Sequence, residues 1–194
     1  MKRRICRRDL VKKKEWLILA AFLAGILAAN LSGRELLSSY GILNRYYLNQ
    51  YTGQNIDCDR LFGLVLLERL KAALFVVVLG KMIRGKKLFW TVECFLAMTF
   101  GFLMAAAVAN LGIGGILILI GGTFPQWLFY QADLFLYAES RAGMEQSARY
   151  GKIGKKEAFS YGGMLLIFTV IFLLGVIMES YVNPFLFDKI LKIF

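Results

Sequence analysis

The sequence predicts an all-α integral membrane protein. It has five transmembrane helices, the N-terminus inside, the C-terminus outside, and amphipathic helices on the outer interface. Three observations predict this. The 194-residue chain is 58% hydrophobic and has a mean hydropathy of +0.58, values that soluble domains of this size rarely reach. Its apolar residues gather in five segments, about 16–31, 61–83, 88–111, 115–138 and 160–178. If the chain starts in the cytoplasm and crosses at each segment, 17 of its 24 Lys and Arg residues fall on the inner side and only five on the outer, with Arg69 and Lys71 inside the second segment. Such a bias is what orients membrane proteins.

The chain reads as a single membrane domain over 1–194, with no length left for a second one. Its net charge of +11 would suggest nucleic acid in a soluble protein. Here positive residues at the cytoplasmic ends of the spans, held against an anionic leaflet, account for it, and no nucleic-acid partner is expected. Cys6, Cys58 and Cys94 fall in three different environments, so no internal disulfide is expected. Histidine is absent, which removes the commonest metal ligand and the usual general base near neutral pH. The basic N-terminus followed by Trp16–Ala29 imitates a signal peptide. The small-residue cleavage pattern is missing, because position −3 would be Ile26 or Leu27, so the segment reads as a retained first span.

Span one, 16–31, is short for a hydrocarbon layer of about 30 Å. The stretch 32–60 follows outside. In it Leu36, Leu37, Tyr40, Leu43, Tyr47 and Tyr51 recur at helical spacing, the pattern of a helix lying on the interface with its tyrosines at headgroup depth. Asp57 or Asp59 is suited to cap the next helix. Span two, 61–83, carries Glu68, Arg69 and Lys71 in its outer turns. These read as snorkelling or locally paired charges, and 84–87 as a basic inner turn. In span three, 88–111, the small residues Gly101, Ala105, Ala106 and Ala109 allow a neighbouring helix to approach. The turn at Gly112-Ile113-Gly114-Gly115 makes spans three and four antiparallel neighbours.

Span four, 115–138, contains Gly121, Gly122 and Pro125. Proline lacks an amide hydrogen and clashes with the carbonyl four residues back, so a kink or break is expected over 121–125. A re-entrant hairpin is the rival, but it would put 139–159 outside with its five basic residues. That stretch reads as a polar inner loop. After span five, 160–178, Asn183-Pro184 has the form of an N-cap followed by a first-turn proline. A short interfacial helix is expected there, with Phe185, Leu186, Ile190, Leu191 and Phe194 on its apolar face.

No catalytic set presents itself. There is no nucleophile elbow, phosphate-binding loop or zinc-protease pattern, and no metal or cofactor is expected. The outer carboxylates Glu35, Asp57, Asp59, Glu179 and Asp188 read as caps and interface anchors rather than a glycosidase pair. Sharper are Glu93 and Asp133, about 8–9 Å inside the cytoplasmic ends of spans three and four at 1.5 Å per residue. With Lys81 as partner they form either a packing ion pair or a proton or ion site.

The tail Glu179-Ser180-Tyr181-Val182-Asn183-Pro184 resembles the stage II sporulation protein M family. So do Phe124-Pro125-Gln126 and Gly112-Ile113-Gly114-Gly115-Ile116-Leu117, and the five-span layout covers nearly the whole chain. The resemblance implies a non-enzymatic, multi-pass protein of the bacterial cell membrane. It would anchor external cell-wall hydrolases, an amidase/endopeptidase and a lytic transglycosylase, during engulfment. Partner-binding residues would then be Glu179, Ser180, Tyr181, Asn183 and Pro184, with Tyr47 and Tyr51 on the same side. The alternative is a membrane permease or transport subunit using Glu93 and Asp133.

Overall fold

The computed structural model describes residues 2–32, 57–83, 85–149 and 155–191, with side chains over 14–32, 57–83, 87–147 and 163–190. Among these residues every element is helical. The order is α1 (Lys2–Leu31), α2 (Cys58–Met82), α3 (Gly85–Leu111), α4 (Ile113–Arg149), α5 (Lys155–Ile177), a π-helical turn (Met178–Val182) and α6 (Asn183–Leu191). The amphipathic segment with Tyr47 and Tyr51 lies outside the described residues.

Four helical stretches are long and apolar enough to cross a membrane: Lys14–Leu31, Lys87–Leu111, Ile113–Ser147 and Gly163–Ile190. The large apolar residues they expose fit that environment, with Leu165 and Leu166 68% and 66% exposed. An apolar surface of this kind is tolerated in lipid and not in water. The helix over the expected second span is not among the four. Its charged residues Glu68, Arg69, Lys71 and Lys81 break the apolar run.

The chain divides into two compact units. The first comprises Met1–Gly53, Trp90–Leu119 and Phe194. Within it α1 and α3 come into backbone contact at two glycines. A Cβ added at Gly25 would overlap the carbonyl of Met98, and one at Gly101 would overlap that of Phe22. Phe22 and Phe100 stack with ring centroids 6.4 Å apart. The Lys14 ammonium lies 4.7 Å from the centre of the Trp90 ring, a cation–π contact suited to the interface. Ala29, Ala106, Ala107 and Leu119 form the buried core. The small residues of α3 thus do admit a close neighbour, but Ala109 is exposed. The expected four-residue turn after α3 is shorter: Gly112 alone leaves the helix, at φ +65°, a left-handed conformation that favours glycine.

The second unit comprises Gln54–Phe89 and Ile120–Ile193. Asp57 caps α2, its Oδ1 accepting from the amides of Asp59 and Arg60 at 3.1 and 3.2 Å. α4 has 37 residues, about 55 Å of helix against about 30 Å of hydrocarbon. It therefore keeps residues 139–149 helical where the sequence suggested a loop. The polar residues Glu139, Ser140, Arg141, Glu145 and Gln146 lie in this extension, and Arg141 faces Glu145 one turn on at 3.9 Å. The short range of local propensity gave no sign of this continuation. Helical assignment also runs through Pro125 without interruption, so no re-entrant hairpin forms there.

The last helix departs from expectation too. Asn183 does not cap a separate interfacial helix. Its backbone is right-handed helical, at φ −59° and ψ −47°, and its amide donates to the carbonyl of Met178, five residues back. α5, the π turn and α6 form one uninterrupted helical run. The physical reason is Pro184, whose ring would strike the Ser180 carbonyl in a regular α-helix and which has no amide to donate. A widened turn absorbs that conflict without ending the helix.

Candidate functional site

The polar residues of the second unit converge on the π turn. Because the turn is widened, Glu179 projects inward between α2 and α4. Arg69 of α2 meets it with both arms of its guanidinium: Nε donates to Oε2 at 2.8 Å and Nη2 to Oε1 at 2.5 Å. The Tyr130 hydroxyl of α4 donates to the same Oε2 at 2.8 Å, and the guanidinium sits 5.1 Å from the centre of the Tyr130 ring. A two-pronged Arg–carboxylate pair is strong and geometrically selective. Here the Glu179 side chain is only 16% exposed and that of Arg69 41%. Gly175 makes room for the arrangement, since a Cβ there would lie 2.7 Å from Cε1 of Tyr130.

Around this clamp the rest of 179–184 is also engaged internally. Ser180 is fully buried and donates to the Val176 carbonyl at 2.8 Å. The Tyr181 hydroxyl donates to Asp59 Oδ1 at 2.6 Å, and its ring lies 6.2 Å from that of Phe62. The Asn183 side-chain amide donates to the carbonyl of Gly122 on α4. Gln126 donates to that same carbonyl, from Nε2, at 2.9 Å. The glycines expected to kink α4 have a packing role: a Cβ at Gly122 would stand 3.3 Å from the Phe187 ring, and one at Gly121 would overlap Ile190. They flatten α4 so that α6 can dock on it.

Of the residues singled out from sequence, Glu179, Ser180, Tyr181 and Asn183 make the contacts just described, and Gly121 and Gly122 lie against α6; Pro184 stands in the first turn of α6 and Pro125 within α4. Tyr181 is the one most open to the surroundings among the tail residues with polar side chains, at 42% exposure. Lys81 is exposed and forms no ion pair with Asp133, whose Oδ1 is buried without a hydrogen-bond partner among the described residues. Glu93 lies half-buried in the first unit. Lys71 pairs locally, with Glu68 at 2.7 Å, but Arg69 reaches across 110 positions of sequence. Sequence reasoning missed that partner and missed Tyr130. The available signal was an excess positive charge at Glu68-Arg69-Leu70-Lys71 inside one helix and a glutamate at the end of another, each in need of an opposite charge. Among the described residues no three His, Cys, Asp or Glu side chains gather to hold a metal.

The fold and this polar cluster define a class: an all-α membrane protein whose last helices are tied to α2 and α4 by polar contacts, most of them partly buried. Comparison with protein-family models, with curated proteins and with solved structures finds no match to the chain.

Proposed function

We propose that this chain is a non-enzymatic membrane scaffold that holds cell-wall hydrolases at the outer face of a bacterial cell membrane during sporulation. The observation that carries the reading is the meeting of two separated motifs. Gln126, from the fourth span, and Asn183, from the tail, donate to one carbonyl, that of Gly122. Two of the three motifs on which the resemblance to the stage II sporulation protein M family rests thus meet at one point of the second unit. A scaffold needs a surface of fixed shape, and the Arg69–Glu179–Tyr130 clamp fixes the base of this one. Tyr181 and Phe185 remain exposed beside it, an apolar and aromatic pair suited to a protein partner.

In this reading the chain crosses the membrane five times. α2 serves as the remaining span because its charges are matched: Arg69 by Glu179 and Lys71 by Glu68. The partners are an external amidase/endopeptidase and an external lytic transglycosylase. The test is a photo-crosslinking residue at position 181 or 185 in the full chain, in sporulating cells. Capture of a peptidoglycan hydrolase supports the scaffold. Capture of lipid alone at both positions rejects it.

A further inference from the structure

One face of α4 carries Gln126, Tyr130, Asp133, Tyr137 and Arg141, spaced by four, three, four and four residues. At 100° per residue these positions fall within an arc of about 80°. With Gly122 at its start, the stripe runs about 28 Å along the helix, close to the hydrocarbon thickness of about 30 Å. The opposite face of the same helix presents Phe124, Leu128 and Phe135, all at least half exposed. The stripe faces inward, with Gln126 buried and the other four half-buried.

A polar stripe can simply hold helices together, in which case its members satisfy one another. This one leaves three buried atoms without a partner among the described residues, Gln126 Oε1, Asp133 Oδ1 and Arg141 Nε, and Asn183 Oδ1 of α6, beside its Gly122 end, is a fourth. They lie at one end, the middle and the other end of the stripe. Each carries a desolvation cost unless a hydrogen-bonding molecule reaches it. Water is the molecule that serves acceptors and a donor alike, and polar buried sites of this kind are where ordered water resides.

We propose that this face of α4 is a hydrated proton path through the second unit, with Asp133 as its protonatable midpoint. Asp133 stands about 16 Å from Gly122 and about 12 Å from Arg141 along the helix. Its Oδ1 takes a proton from water on one side and returns it to water on the other. Only O–H bonds form and break, and no electrons move. On α2, Arg69 is paired with Glu179, and Lys81 is exposed. On α4 itself, Tyr130 donates to Glu179, Arg141 donates to the Gly80 carbonyl at 2.6 Å, and the Tyr137 ring meets that of Phe168 edge to face. Toward Tyr130 and Tyr137, α5 presents the apolar Phe172 and Phe168. Among the described residues no lysine or arginine forms an ion pair with Asp133. The proposal does not rest on the scaffold reading, which the crosslinking experiment tests separately.

The experiment reconstitutes the full chain in phosphatidylcholine–phosphatidylglycerol vesicles with an internal pH dye, and drives protons inward with a potassium gradient and valinomycin. The intact chain should acidify the lumen faster than protein-free vesicles do. Asp133→Asn should lose that excess, and Asp133→Glu should keep part of it. A rate for the intact chain equal to that of empty vesicles overturns the path, as does an undiminished rate in Asp133→Asn. Infrared spectroscopy of the intact protein gives a second reading that needs no damaging variant. A carboxylic-acid band that titrates with bulk pH, and is absent from Asp133→Asn, supports hydration of the site. The absence of any titrating band shows that water does not reach Asp133 and overturns the proposal.

Discussion

Glu179 shows what one carboxylate does when three helical elements share it. Arg69 from α2 and Tyr130 from α4 both bond it, so the π turn is held on two sides. The value of the pair lies between that of an exposed ion pair, about 0–1 kcal/mol, and the loss on breaking a buried one, about 3–5 kcal/mol. Because the guanidinium is partly exposed, Glu179→Gln is expected to cost about 2 kcal/mol of stability in detergent unfolding. Arg69→Met should cost at least as much, since it strands a largely buried carboxylate. The double variant Arg69→Met with Glu179→Leu should cost less than the two single changes added together. Strict additivity of the measured unfolding energies would show that the two residues do not act as a pair. Tyr130→Phe removes one charge-assisted hydrogen bond and should cost about 1–2 kcal/mol in the same assay.

At the scale of elements, the informative feature is a helix that should have ended and does not. Asn-Pro in sequence reads as the start of a new helix, and the polar residues 139–149 read as a loop. Both stretches stay helical. Propensity describes a residue in its local turn and carries no information on a neighbour such as α6, which packs Phe187 and Ile190 onto Gly121 and Gly122. Such tertiary contacts override weak local signals. The π turn is the local adjustment that lets the run continue past Pro184. Pro184→Ala restores an amide donor to the Ser180 carbonyl and should let the turn revert to α geometry. One residue would then be taken up, and α6 would rotate by about 100° relative to α5. Spin labels at exposed positions 120 and 189 should report a changed distance. An unchanged distance would mean that docking on α4, rather than the proline, sets the turn. Gly175→Ala tests the same neighbourhood by overpacking. With its Cβ 2.7 Å from the Tyr130 ring, it should destabilise by about 1–3 kcal/mol, measured by thermal unfolding.

For the whole molecule, the charge partition makes a topological prediction. The N-terminus, the junction at 84–87 and the far end of α4 should lie in the cytoplasm, and the π turn outside. α4 is long enough to carry position 147 well clear of the hydrocarbon. A cysteine introduced there, in a background without Cys6, Cys58 and Cys94, should resist an impermeant thiol reagent in intact cells and react after permeabilisation. A cysteine at 181 should show the reverse. Labelling of position 147 from outside would remove the five-span arrangement and with it the placement of the tail among cell-wall enzymes.

What the sequence determined by itself was the kind of molecule and its long elements. The apolar runs over 16–31, 88–111 and 115–138, and most of that over 160–178, emerge as helical stretches fit for a bilayer, because length and hydropathy are properties of a segment alone. Asp57 as a cap and Gly112 at a turn were legible for the same reason, since a cap and a left-handed turn are decided within a few residues. What only the tertiary structure decided was which charges meet. Arg69 looked like a snorkelling or locally paired residue, and its partner stood 110 positions away at the end of another helix. The glycines at 121–122 were expected to kink or break the fourth span; the helix runs on through them, and they receive Phe187 and Ile190 of α6. Both outcomes depend on which helices become neighbours, and spacing along a single chain segment does not encode that.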